Sequence, residues 1–160
     1  MTATADLLKA LKLLESWRDD LRVVGPAAPE QIQASEEALG VVFPPSYRRF
    51  LAEVGAGSIL GREIYGVVRD PLASGPPNVV WMNLDRRTTQ LPKHLILVAD
   101  LDDSSAFALD LAHQDNDREC QVVRIWPGEP PQTLVDSEIA SSFGSFFLQL
   151  TLERIRVWAN

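Results

Sequence analysis

Residues 36–58 read EEALGVVFPPSYRRFLAEVGAGS, and this stretch decides the fold because a helix end, a forced turn, a second helix and a glycine stop follow one another in it. Gly40 comes after Leu39, where a helix closes on a left-handed residue. Pro44 and Pro45 then remove two backbone donors and pre-set φ for a new helical start. From Pro45 the apolar residues fall at Tyr47, Phe50, Leu51 and Val54, the spacing of one buried helical face, while Arg48, Arg49 and Glu53 point the other way. Gly55 and Gly57 end the helix and release the chain. Such a face needs a core to meet, since burying Phe50 is worth roughly 1.5–3 kcal/mol relative to leaving it in water.

Toward the N-terminus, Leu7, Leu11, Leu14 and Leu21 share one side and Lys9, Lys12, Asp19 and Asp20 fall largely on the other. This predicts a helix over about 4–21 with Trp17 at its edge. Gly25-Pro26 and Pro29 break it, and a short helix follows over 29–39, with Ile32 and Leu39 as its narrow apolar side. Nothing resembles a linker, so residues 1–160 are expected to form one domain.

Toward the C-terminus, Ile59, Leu60, Ile64, Tyr65, Val67 and Val68 are strand formers punctuated by Gly61 and Gly66, and predict the first sheet strands. The proline- and glycine-rich segment 69–77 reads as an exposed loop. Asn78 can cap a short helix over about 79–87, although Val79-Val80-Trp81 suits a strand equally well. Leu95–Ala99 is a continuous apolar run, and the acidic turn at 100–105 implies a hairpin with 106–111, where Phe107, Leu109 and Leu111 alternate with Ala106, Ala108 and Asp110. A further strand over 120–126 is ended by Pro127, Pro130 and Pro131. Ser141 or Ser142 can cap a last helix whose Phe143, Phe146, Phe147, Leu150 and Val157 mark one stripe. The sum predicts an α+β fold, with N-terminal helices and a C-terminal helix packed on one face of a mainly antiparallel β-sheet.

With 160 residues, 46% of them apolar and 23% charged, the balance is that of an ordinary globular chain. No apolar run approaches membrane-spanning length and Asp6 and Lys9 interrupt the opening segment, so no membrane is expected and the cytoplasm is the expected location. Cys120 is the single cysteine, which excludes an internal disulfide; with no Cys/His cluster at ligand spacing, no metal and no cofactor are expected. The net charge of −7 is uneven: residues 100–138 carry ten acids against Arg118 and Arg124, and the rest of the chain is nearly neutral. An acidic half argues against direct nucleic-acid binding, which needs neutralising Lys and Arg. A basic protein is the natural complement.

Taken together, Leu39-Gly40, Pro44, Tyr47, Phe50-Leu51, Gly55-Ala56-Gly57 and Ile64-Tyr65-Gly66 resemble the signature of the SUKH superfamily, whose name derives from the Smi and Knr type cell-wall regulators of yeast. Later segments agree in order: Val79-Val80 before a polar run ending in Arg86-Arg87, Leu95-Ile96-Leu97-Val98 before an acidic turn, then a Phe-rich end. The similarity covers about residues 29–158, and it favours a helix for 79–87. In the turn at 100–105 the sequence departs from the family, which often has glycines there; Asp and Ser can serve because Asp tolerates left-handed conformations. Members of the superfamily are widespread as bacterial immunity proteins against secreted toxins. The resemblance therefore implies a non-enzymatic protein that neutralises a cognate toxin, for example a nuclease, by direct binding. The fungal relatives imply an alternative, an intracellular scaffold or regulatory interaction domain.

Other chemistry would rest on the residues that could carry it. Cys120 with His94 or His113 would supply a nucleophile and base for a small hydrolase, but no motif surrounds them, and a buried thiol with two surface imidazoles is the plainer reading. Asp100, Asp102 and Ser104 match the first positions of a calcium loop, yet Ser105 stands where glycine is needed and Leu111 where the bidentate Glu belongs. Gly55, Gly57 and Gly61 follow a helix and no Lys-Ser/Thr pair comes after them, so they are turn glycines and not a phosphate loop. Arg48-Arg49 and Arg86-Arg87 are expected on solvated helix faces. Tyr65, Trp81 and Trp126 are interaction candidates, and the acids expected on the contact side are Asp102, Asp103 and Asp110, then Asp115, Asp117 and Glu119, then Glu129, Asp136 and Glu138.

Overall fold

The computed structural model describes residues 2–160. Helix α1, Thr2–Leu14, runs into a 3-10 segment over Glu15–Asp20. The helix is therefore shorter than its leucine pattern predicts: Trp17 sits at φ −116°, ψ 17°, and the chain leaves the helix in time for β1, Arg22–Val23, to pair with β2, Gly57–Ile59. Helix α2 spans Pro29–Leu39 and ends at Gly40, whose φ of 69° is the left-handed close its position predicts. Ala28 cannot cap α2 with a side chain, and Gln31 Oε1 accepts the Ala28 N–H instead at 2.8 Å. Helix α3, Pro45–Glu53, buries Ser46, Tyr47, Phe50 and Leu51, as the period of the quoted stretch requires.

Two antiparallel sheets follow where one was expected. The smaller has the order β1-β2-β3, with β3 at Arg62–Ile64; Val67 and Val68 lie beyond it, outside any strand. The loop then reaches α4, Val79–Arg87, capped by Asn78, whose Oδ1 accepts the N–H groups of Val80 and Trp81. The larger sheet is a meander of β4 (Leu95–Asp100), β5 (Ala106–Gln114), β6 (Cys120–Ile125) and β7 (Val135–Ala140), in that spatial order. Strand β7 and the short helix before it, α5 (Pro131–Leu134), carry no strong apolar pattern and are not anticipated from the sequence. Helix α6, Phe143–Trp158, is capped by Ser142, whose Oγ accepts the Ser145 N–H at 3.0 Å.

The α+β class stands, with two refinements. The sheets join where the Tyr65 N–H donates to the Val98 carbonyl at 2.8 Å. The outer edge of β4 is closed by Asn83 of α4: its side-chain amide donates to the Leu97 carbonyl at 3.0 Å and accepts the Leu97 N–H at 2.7 Å, so both backbone groups of an edge residue are satisfied by a helix. Between α3 and α6 the core is aromatic, with ring centroids 4.9 Å apart for Tyr47–Phe143 and 5.2 Å for Phe50–Phe147. Val157, placed by period on the buried stripe of α6, is half exposed because that helix runs past the core it covers.

Gly55, Gly57 and Gly66 of the signature mark close backbone crossings. Gly55 sits at φ 82°, and a Cβ there would collide with the Gly25 carbonyl, as one on Gly66 would with the Gly55 carbonyl. The segments before β2 and after β3 stack so tightly here that no side chain fits.

Candidate interaction surfaces

The reactive side chains differ in access to solvent. Cys120 is 1% exposed at the start of β6, and burial pushes its thiol up to about 12. His94 and His113 are both exposed, and among the described residues no group of three or more His, Cys, Asp or Glu could hold a metal ion. Of the acids at the calcium-like positions, Asp100 is engaged elsewhere: it accepts the Tyr65 hydroxyl at 2.5 Å and pairs with Arg86 at 3.0 Å. Burial first, and then the Asp100 hydrogen bond, hold the Tyr65 hydroxyl above the ordinary tyrosine range. Arg86 and Arg87 are thus not the solvated pair expected: Arg86 is held by Asp100, and Arg87 donates to the Leu39 carbonyl at 2.9 Å, tying α4 to the end of α2.

The nine candidate acids part into several groups. Glu119 is buried, as is Asp110, so neither belongs to an outer face. Glu119 accepts the Ser46 N–H at 2.9 Å and the Ser46 hydroxyl at 2.8 Å, and Ser46 Oγ in turn accepts the Gly144 N–H at 3.0 Å. Because Pro44 and Pro45 carry no N–H, the first donor at the start of α3 is that of Ser46, and Glu119 caps the helix from 73 residues away. Burial pushes its carboxyl above the usual range, against the pull of the Ser46 bonds. Asp110 accepts the Ala112 N–H at 3.1 Å and lies 3.4 Å from His113 Nδ1.

The exposed acids are separated by the meander. Asp102 and Asp103 lie in the β4–β5 turn and Glu129 in the β6–α5 connection, which the alternation of strand direction brings to one end of the sheet; Asp115 and Asp117 lie in the β5–β6 turn at the other. Asp136 and Glu138 project from β7, the sheet's other edge strand. Several carboxylates also shape their own loops. Asp103 accepts the Ser105 N–H at 3.0 Å and pairs with Arg124, and the Ser105 bonds hold its carboxyl below the usual range. Asp115 accepts the N–H groups of Asp117 and Glu119 at 2.8 and 3.0 Å. Arg124 also lies 5.1 Å from the Trp126 ring centroid, which gives that tryptophan a stacking partner.

A second surface is lined by none of these candidate acids. Helices α2 and α4 flank a groove of about 750 Å³. Ala34 and Ala38, four residues apart, make a low wall on α2; Trp81 and Leu84 stand opposite on α4, 37% and 43% exposed, and Leu72 forms a lip at 88% exposure. Glu30 and Asp85 also line it. The signal was present: Trp81 and Leu84 share a face of the predicted helix, but only in space does that face meet the alanines of α2.

The fold defines a class first, an α+β domain of helices packed on two antiparallel sheets. The family model for SMI1-KNR4 cell-wall proteins, of the SUKH group, matches residues 5–152, and the chain belongs to this family. A search of curated proteins finds no match. The match takes in α1, ahead of the segments that carry the resemblance in sequence.

Proposed function

We infer that the protein is a non-enzymatic immunity protein that acts in the cytoplasm and neutralises a cognate toxin by direct association. Family membership over residues 5–152 is the observation that carries this reading. The buried Cys120 and the exposed His94 and His113 are in keeping with it, since none sits where a bound substrate would meet a nucleophile and its base. No described helix is long and apolar enough to cross a membrane.

The exposed acids, Asp102, Asp103, Asp115 and Asp117 in the turns with Glu129, Asp136 and Glu138, give the larger sheet a negative potential that attracts a basic toxin domain. Their spread over both ends suits long-range attraction better than one tight contact. Co-expression with the toxin encoded beside the gene is expected to restore growth; no rescue, with both proteins present and folded, overturns the reading. The family description, which names cell-wall proteins, favours a second reading as an intracellular scaffold or regulator, and under it the partner is a cellular protein and no toxin gene adjoins this one.

A further inference from the structure

We propose that the groove between α2 and α4 is the seat of an amphipathic helical segment of the protein partner, apolar on one face and flanked by Lys or Arg. This rests on the reading of the protein as a binding partner and names the contact that holds the complex.

The lining argues for an apolar side chain with a cationic neighbour and against a small polar ligand. A small-molecule site needs a few converging free donors or acceptors. Here they are spent inward. The Asn78 amide donates to the Pro71 and Ala73 carbonyls and accepts the first N–H groups of α4. Ser35 Oγ donates to the Gln31 carbonyl, Gln31 Oε1 is taken by the Ala28 N–H, and Thr88 Oγ1 donates to the Asp85 carbonyl. The carboxylates of Glu30 and Asp85 have no salt-bridge partner among the described residues, and no cation lines the groove. An occupant therefore meets apolar walls and two uncompensated negative charges.

The shape suits a helix. Glu30, Ala34 and Ala38 repeat every four residues along α2, and Trp81, Leu84 and Asp85, with Thr88 at the helix end, fall at three- and four-residue spacing on one face of α4. Small residues on one wall let a third helix approach closely, and a tryptophan and a leucine on the other supply the apolar anchor, the arrangement of helix-in-groove recognition. The other sizeable depression, beside α3, has the opposite sign, and two of its three arginines are engaged: Arg48 by Glu36 and Arg49 by Glu53.

The test uses the full chain, isotope-labelled for amide NMR, and a synthetic amphipathic Leu/Lys peptide of about fourteen residues, roughly four helical turns. Saturable one-to-one binding is expected, with shifts concentrated on α2, α4 and residues 67–72. Trp81→Ala and Asp85→Lys, both at exposed positions, should each weaken it by about tenfold. A Leu/Glu peptide of the same pattern should fail to bind. Shifts confined to the acidic turns or β7, equal binding of the Leu/Glu peptide, or concentration-dependent shifts of the same residues in the free protein, the mark of a second copy in the groove, would each overturn the proposal. Rescue by co-expression without any groove response removes the groove and leaves the immunity reading; groove binding without rescue does the reverse.

Discussion

Glu119 and Ser46 show how one side-chain pair can bind three elements. The carboxylate ends the β5–β6 turn, caps α3, and through Ser46 Oγ reaches the first turn of α6. Replacing it with Ala leaves the Ser46 donors buried without a partner, and Glu119→Ala is expected to lose about 1–3 kcal/mol in urea denaturation. A loss within error would mean that the network contributes nothing net. Its pH dependence has a definite sign. The folded carboxyl is raised by burial, so the folded state holds its proton more tightly than the unfolded chain; this contribution is complete below the unfolded glutamate pKa and is lost as pH rises through the folded value. Wild type should therefore lose stability relative to Glu119→Gln across that interval, and parallel urea midpoints would refute the assignment. Phe50, fully buried against Phe143 and Phe147, should cost about 3–5 kcal/mol as Ala. A loss below about 1 kcal/mol, the level of an ordinary surface change, would mean that the faces of α3 are reversed.

Among the elements, those with strong internal periodicity were legible and those held by partners were not. The ends of α2 and the start of α3 follow from Gly40 and the two prolines, and α4 from Asn78, because each signal is local. Strands β1 and β7 escaped because their residues carry little apolar pattern: β1 exists through pairing with β2, and β7 exposes Val135–Glu138. For the same reason α1 stops at Leu14, although leucines continue to Leu21. The acid cluster was legible as composition and misleading as geometry, since residues close in sequence on a meander alternate between its two ends. Asn83 gives the element-scale prediction: Asn83→Leu removes both bonds to Leu97, and the Leu97 amide should exchange with solvent markedly faster, with a stability loss of about 1–3 kcal/mol. Unchanged exchange would show that α4 shields the edge by packing alone.

For the whole molecule, division of labour follows from where charge and apolar surface lie. On the proposed reading, acids at both ends of the sheet and along β7 act at a distance, while the α2–α4 groove supplies apolar area that becomes significant once a partner is seated. Charge reversal at Asp102 and Glu138, exposed acids without a hydrogen-bond partner among the described residues, is therefore expected to slow association with a basic partner severalfold at low salt and to leave dissociation nearly unchanged. Stopped-flow rates across a salt series check this, and an effect carried in the dissociation rate would place those acids inside the contact. Trp81→Ala should show the opposite kinetic signature.

The Asn83 clamp also bears on how copies of this chain can meet. A β-sheet with two bare margins is a template that recruits one molecule after another without end. Here the β4 margin is occupied at Leu97 by the Asn83 amide and at Val98 by the Tyr65 N–H, so a strand from another copy would have to displace α4 to add there, and β7, the opposite edge strand, is the margin at which the meander could be extended.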